Sequence, residues 1–159
     1  MHYQFTSYHA AHFETEPELI WIEEQPIATL SFCAPGREAQ SPIVIFGGAF
    51  TNHSFFKLKT NLLMRNFPVI LMDLPGQGVN PVAGEGLGFA DFARLLERYC
   101  ERQQLEQIIP CGLSYGSGIA FTFAARYPER VARMVLAGAA LCLRPSLKRK
   151  LKESLRRLE

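Results

Sequence analysis

Three short runs, "PIVIFGG" at 42–48, "PVILMDLPG" at 68–76 and "QIIPCGLS" at 107–114, constrain the fold of this 159-residue chain more than any other feature. Each is almost wholly apolar and stops at glycine, proline or serine, as strands buried on both faces do. Between them lie segments of helical spacing. "SFFKLKTNLLMRN" is one; "FADFARLLERYCERQQ" is the other, with Phe89, Phe92, Leu95, Leu96 and Tyr99 on one face and charge opposite. Parallel strands need a crossover, so this rhythm predicts βαβ units in a mostly parallel α/β sheet with helices on both faces. Ahead of it, "LIWIEE" and "IATLSFCAPG", joined at "QPI" and closed by a Pro-Gly turn, predict an antiparallel pair. After it come an apolar helix from Tyr115 to about Tyr127 and the run "RVARMVLAGAAL".

A 48% hydrophobic, 20% charged composition is that of a soluble globular domain with one core. The net charge of +2 hides an asymmetry. Residues 144–159 carry seven Lys or Arg against two Glu, while the first 143 carry ten basic against thirteen acidic residues. A mildly acidic body without a basic face argues against nucleic acid as a partner. The closing stretch, "RPSLKRKLKESLRRLE", puts Leu147, Leu151, Leu155 and Leu158 on one stripe of a basic amphipathic helix, expected to lie on the surface. Cys33, Cys100, Cys111 and Cys142 have no paired C-x-x-C spacing; they read as reduced thiols, and the chain as cytoplasmic. No secretory signal pattern opens the chain, and "MVLAGAALCL" is far short of the roughly 20 residues of a membrane-spanning helix.

Chemistry concentrates at Gly112-Leu113-Ser114-Tyr115-Gly116, a G-x-S-x-G between a buried strand and an apolar helix. A serine at the tip of so sharp a turn takes strained backbone angles. Side chains two residues away on either side would strike backbone, so glycine is needed there. Such a turn aims Oγ out of the carboxyl edge of the sheet, with a helix N-terminus beneath it to hold a developing oxyanion. Tyr115 N–H is a candidate donor. Alone, the pattern also suits a tight turn of small residues. Gly112, Gly116 and Gly118 match a dehydrogenase turn as well, but four strands precede them, and no Tyr is followed four residues later by Lys. No G-K-[ST] phosphate loop is present.

Context favours the catalytic reading. The antiparallel pair, "IVIFGGAF", "VILMDLPGQG", the glycine-serine turn and "AARYPERVARMVLAG" together resemble the α/β-hydrolase superfamily over nearly the whole chain. The resemblance implies Ser114 as nucleophile, with the N–H groups of Tyr115 and Ala49 as oxyanion donors. Gly48 would let the loop approach substrate; Gly47 stands where many members carry a histidine that orients the loop. Asp73 is implied to be structural, and His53 to face loop or substrate rather than act as base. Phe50, with Phe55 and Phe56, suggests an apolar acyl pocket, which core packing would explain equally well. "GGAFTNHSFF" with "DLPGQG" is also similar to bacterial hydroxyacyl transacylases. No metal or cofactor is implied; the partner is a small ester, thioester or carrier-bound acyl group.

The superfamily order is Ser, then Asp or Glu, then His. The four histidines here are His2, His9, His12 and His53, all before Ser114. The resemblance therefore implies an acid and a histidine beyond Glu159, with 1–17 as a tail, 18–143 as a partial core and 144–159 as the start of a lid. Such a segment alone is expected to be nearly inert, and to self-associate through an exposed sheet edge. The readings that stay open are an acyl hydrolase, a transacylase, and a non-catalytic relic or half of a two-chain assembly.

Overall fold

The computed structural model describes residues 15–81 and 86–139, with 145, 146 and 149. Most of the expected tail, Cys142, and the stripe of the basic C-terminal helix lie outside the described residues.

Six strands form one sheet: β1 (Glu18–Ile22), β2 (Gln25–Phe32), β3 (Ile43–Phe46), β4 (Val69–Asp73), β5 (Ile109–Leu113) and β6 (Val135–Ala137). Among the described residues, the α-helices named between these strands are α1 (Lys57–Leu63), α2 (Phe89–Arg102) and α3 (Tyr115–Arg126). The spatial order is β1-β2-β4-β3-β5-β6. β1 and β2 pair antiparallel, as does β2 with β4, while β3, β4, β5 and β6 run parallel. This is the expected mixed α/β sheet with its antiparallel opening.

Period-two alternation divides each central strand between two cores. Val44, Phe46, Ile70 and Met72 face one cluster, packed with Phe92, Leu95 and Leu96 of α2 and Ile119 and Phe123 of α3. Ile43, Ile45, Val69 and Leu71 face the other, beside Phe56 and Met64. Both faces are thus covered, and every fully buried large side chain among them stabilises the fold by about 1.5–3 kcal/mol. The expected α2 face holds at Phe92, Leu95, Leu96 and Tyr99, but Phe89 in its first turn is 41% exposed. Phe56 is core, whereas Phe50 and Phe55 are exposed, which splits the aromatic run.

The chain leaves β3 for β4 on one side and returns to β5 on the other. Loops after β3 and β5 therefore diverge, opening a crevice outside the carboxyl ends of these two neighbours. No described helix is long and apolar enough to cross a membrane.

Candidate active site

Ser114 stands at that crevice, between the end of β5 and the first turn of α3, with φ 51° and ψ −112°. A left-handed φ in a non-glycine residue persists only when its surroundings enforce it. Here they do. Ser114 N–H donates to Ala137 O of β6 at 2.8 Å, and Gly116 N–H donates to Gly47 O of the loop after β3 at 3.1 Å. A Cβ on Gly116 would lie 2.7 Å from Gly47 O, and one on Gly112 2.6 Å from Ser117 Cα. Glycine at both positions is what lets α3 start so close to the ends of β3 and β5.

The Ser114 side chain is exposed and makes no capping bond to its own helix. That duty falls elsewhere: Ser117 Oγ donates to Gly112 O (2.8 Å) and to Ala137 O (3.1 Å), locking the turn from below. Ser117 N–H bonds Ser114 O. With Gly116 and Ser117 so engaged, Tyr115 N–H has no hydrogen-bond partner among the described residues. The Tyr115 ring packs on Phe89 and Phe92, with centroids 5.0 and 6.4 Å away, and burial raises its phenol pKa.

Across the crevice, the loop Gly47-Gly48-Ala49-Phe50 follows β3. A Cβ on Gly48 would sit 3.7 Å from Ser114 Cβ, so this loop lies directly against the serine. Gly48 O accepts from Thr51 N–H (3.2 Å), Thr51 Oγ1 (3.1 Å) and Gln77 Nε2 (3.3 Å). Ala49 is exposed, and its N–H has no partner among the described residues. The structure thus brings together Ser114, Tyr115, Ala49, Gly47, Gly48, Gly112 and Gly116. Phe50 is 89% exposed at the loop tip.

His53 is placed differently from a residue open to the crevice. It is 6% exposed, opens a one-turn 3₁₀ helix, and holds Asp73 by both its backbone N–H and ring Nδ1, each at 2.6 Å. Of the two placements expected for it, loop or substrate, the Nδ1 side of the ring faces the Asp73 turn. Burial raises the Asp73 carboxyl above the ordinary aspartate range, against the lowering effect of the His53 hydrogen bonds. The Asp73 turn is braced further by Asn80, whose Nδ2 donates to Asp73 O (2.8 Å) and Leu74 O (2.9 Å). Thr51, Gln77, Asn80 and Ser117 were not legible as site residues in sequence. Their only signal was proximity to the two glycine turns.

A family model described as alpha/beta hydrolase fold matches residues 41–155. A poly(3-hydroxyalkanoate) depolymerase of Ectopseudomonas oleovorans is 31% identical over 119 residues, covering 75% of this chain and 41% of that protein. The AB hydrolase superfamily protein YisY of Bacillus subtilis is 33% identical over 101 residues, covering 62% and 38%. Among solved structures, MGS-M2, an alpha/beta hydrolase enzyme from a Medee basin deep-sea metagenome library, superposes with a TM-score of 0.79 at 23% identity, over 89% of this chain and 50% of that one. A thermophilic esterase from Thermogutta terrifontis gives 0.72 at 23%, over 91% and 52%. At such identity these two speak for the fold alone. The chain spans about two fifths to one half of the length of these relatives. By matched segment, sheet order and strand-to-helix turn, it belongs to the alpha/beta hydrolase family.

Proposed function

We propose that this chain carries the nucleophile and the oxyanion donors of a serine acyl hydrolase acting on an ester, thioester or carrier-bound acyl group. The observation that carries the reading is Ser114 itself, an exposed hydroxyl held at φ 51° over a helix N-terminus. Ser114 Oγ attacks the acyl carbon; its proton passes to a general base and from there to the leaving oxygen or sulfur as that bond breaks. Water then attacks the acyl-serine and Oγ recovers a proton. The N–H groups of Ala49 and Tyr115, unpaired among the described residues, receive the oxyanion in both steps. Phe50 and Phe55 offer apolar surface to an acyl chain. We assign the base and its acid partner to the half of the relatives' length that this chain does not span, since no histidine follows Ser114. The 159 residues by themselves should then react slowly. Three free thiols among the described residues are compatible with a cytoplasmic setting, and the exposed β6 edge offers copies a surface for association.

Transfer of the acyl group to an alcohol is the second reading. It is favoured by the loop's similarity to hydroxyacyl transacylases and by a relative named for a polymer of 3-hydroxyalkanoates. The test is hydrolysis of p-nitrophenyl butyrate, with and without an added alcohol, by the protein as its natural source makes it. Ser114→Ala should lower turnover by about 10³-fold or more. Undiminished turnover would remove the nucleophile, and no turnover by the parent would favour the non-catalytic relic. Reading the coding DNA past the codon for Glu159 tests whether an acid and a histidine follow.

A further inference from the structure

We infer that Gln77 and Thr51 are positioning residues for the oxyanion hole: by holding the Gly48 carbonyl, they fix the direction of the Ala49 N–H. This rests on the reading of Ser114 as nucleophile. The argument is one of peptide geometry. Gly48 C=O and Ala49 N–H belong to the same planar trans unit, in which the two bonds point in opposite directions. Whatever fixes the oxygen fixes the hydrogen.

Three donors converge on that oxygen. Thr51 supplies its N–H at 3.2 Å and Oγ1 at 3.1 Å from three residues along the loop. Gln77 supplies Nε2 at 3.3 Å from the turn after β4, 29 residues away. Gln77 is itself fixed, because its Oε1 accepts from Leu74 N–H at 3.2 Å and its backbone N–H donates to Leu74 O at 2.9 Å. That arrangement assigns the amide: oxygen toward a donor, nitrogen toward an acceptor. Asn80 braces the turn after β4 from within, and the Asp73–His53 pair ties that turn to the loop after β3.

Opposite the held carbonyl, the N–H of exposed Ala49 is unpaired among the described residues, and a Cβ added to the preceding glycine would lie 3.7 Å from Ser114 Cβ. A peptide left to itself in so glycine-rich a loop can turn over, presenting its carbonyl oxygen to the crevice. An oxygen there would repel an oxyanion. Gln77 and Thr51 bar that arrangement without touching substrate.

Gln77→Glu isolates the effect. The variant keeps shape and keeps an acceptor for Leu74 N–H, but replaces the donor to Gly48 O with a carboxylate oxygen that repels it. Thr51→Val removes one donor and leaves Thr51 N–H in place. Both are compared with the parent by crystal structure, by melting temperature, and by kcat and KM for p-nitrophenyl butyrate in the protein as its source makes it. In Gln77→Glu, the 48–49 peptide should rotate so that Ala49 N–H leaves the crevice. Its kcat should fall roughly 10- to 100-fold, short of the loss of a whole donor, with KM within about twofold. Thr51→Val should lower kcat about threefold. A structural role alone would lower melting temperature and leave kcat of the folded enzyme intact.

An unmoved peptide in Gln77→Glu overturns the inference, as does full kcat with a turned peptide. Should the parent show no turnover, the direction of the peptide decides. Ser114→Ala separates the two readings. If it is as active as the parent, the nucleophile assignment falls and takes this inference with it. If it is inactive while Gln77→Glu matches the parent, only the positioning role is wrong.

Discussion

The two flanks of Ser114 are built to different standards. On the β3 and β4 side, the loops are cross-braced by the Asp73–His53 pair, by Gln77 and by the Gly116 N–H bond to Gly47 O, and Asn80 braces the turn after β4 from within. The strands beneath them are wholly buried. On the other side, β6 has only three residues in an exposed-intermediate-exposed pattern, with Val135 at 47% exposure and Met134, just before the strand, at 39%. It is joined to the body by pairing with β5 and by Ser114 N–H and Ser117 Oγ on Ala137 O. The difference teaches where the site draws its rigidity. Nucleophile angle and oxyanion loop are set by β3, β4, β5 and α3, while β6 contributes one carbonyl.

The largest effect expected from this asymmetry is at Gly116. Gly116→Ala drives a methyl into the carbonyls of Phe46 and Gly47, backbone that cannot yield cheaply. It should lower unfolding free energy by about 4–5 kcal/mol in urea titration, with loss of any Ser114 reactivity. A variant as stable as the parent would break the comparison. Next comes Phe32→Ala in the braced half, where a 2% exposed ring is removed, at about 3–4 kcal/mol before any collapse of the cavity and less after it. At β6, Val135→Ser should change stability by no more than about 0.5 kcal/mol, because its side chain is already half in water. A large loss there would mean that β6 is covered by something the described residues do not include.

The smallest effect is pH-dependent. Asp73 has a folded-state pKa raised above its unfolded value, so the fold binds its proton more tightly than the unfolded chain does. That contribution is fully present below the ordinary aspartate value and is lost as pH rises through the folded value. The stability difference between the parent and Asp73→Asn should therefore shift against the parent as pH climbs from strongly to weakly acidic. Parallel curves of melting temperature against pH for the two proteins would contradict the raised carboxyl.

Sheet class, helix faces and the elbow were legible because each depends on local pattern. An apolar run bounded by glycine reads as a buried strand, and Gly112 and Gly116 flank Ser114 at the spacing of a sharp strand-to-helix turn. The bracing was not legible, because His53 and Asp73 meet across 20 residues and Gln77 and Gly48 across 29. Which turn faces which is decided by the crossover from β3 to β4, which sets those strands parallel side by side. The aromatic run Phe50, Phe55, Phe56 could not be divided from sequence either. Phe55 and Phe56 are neighbours on a helical turn that sends one ring outward and the other into the core.

The central claim is that Ser114 is a nucleophile poised by its turn. Its most direct test is treatment of the protein, as its natural source makes it, with a fluorophosphonate, followed by peptide mass mapping. The account predicts one stoichiometric adduct on Ser114, absent in Ser114→Ala. An adduct on another serine, or active ester hydrolysis with Ser114 unmodified, would contradict it.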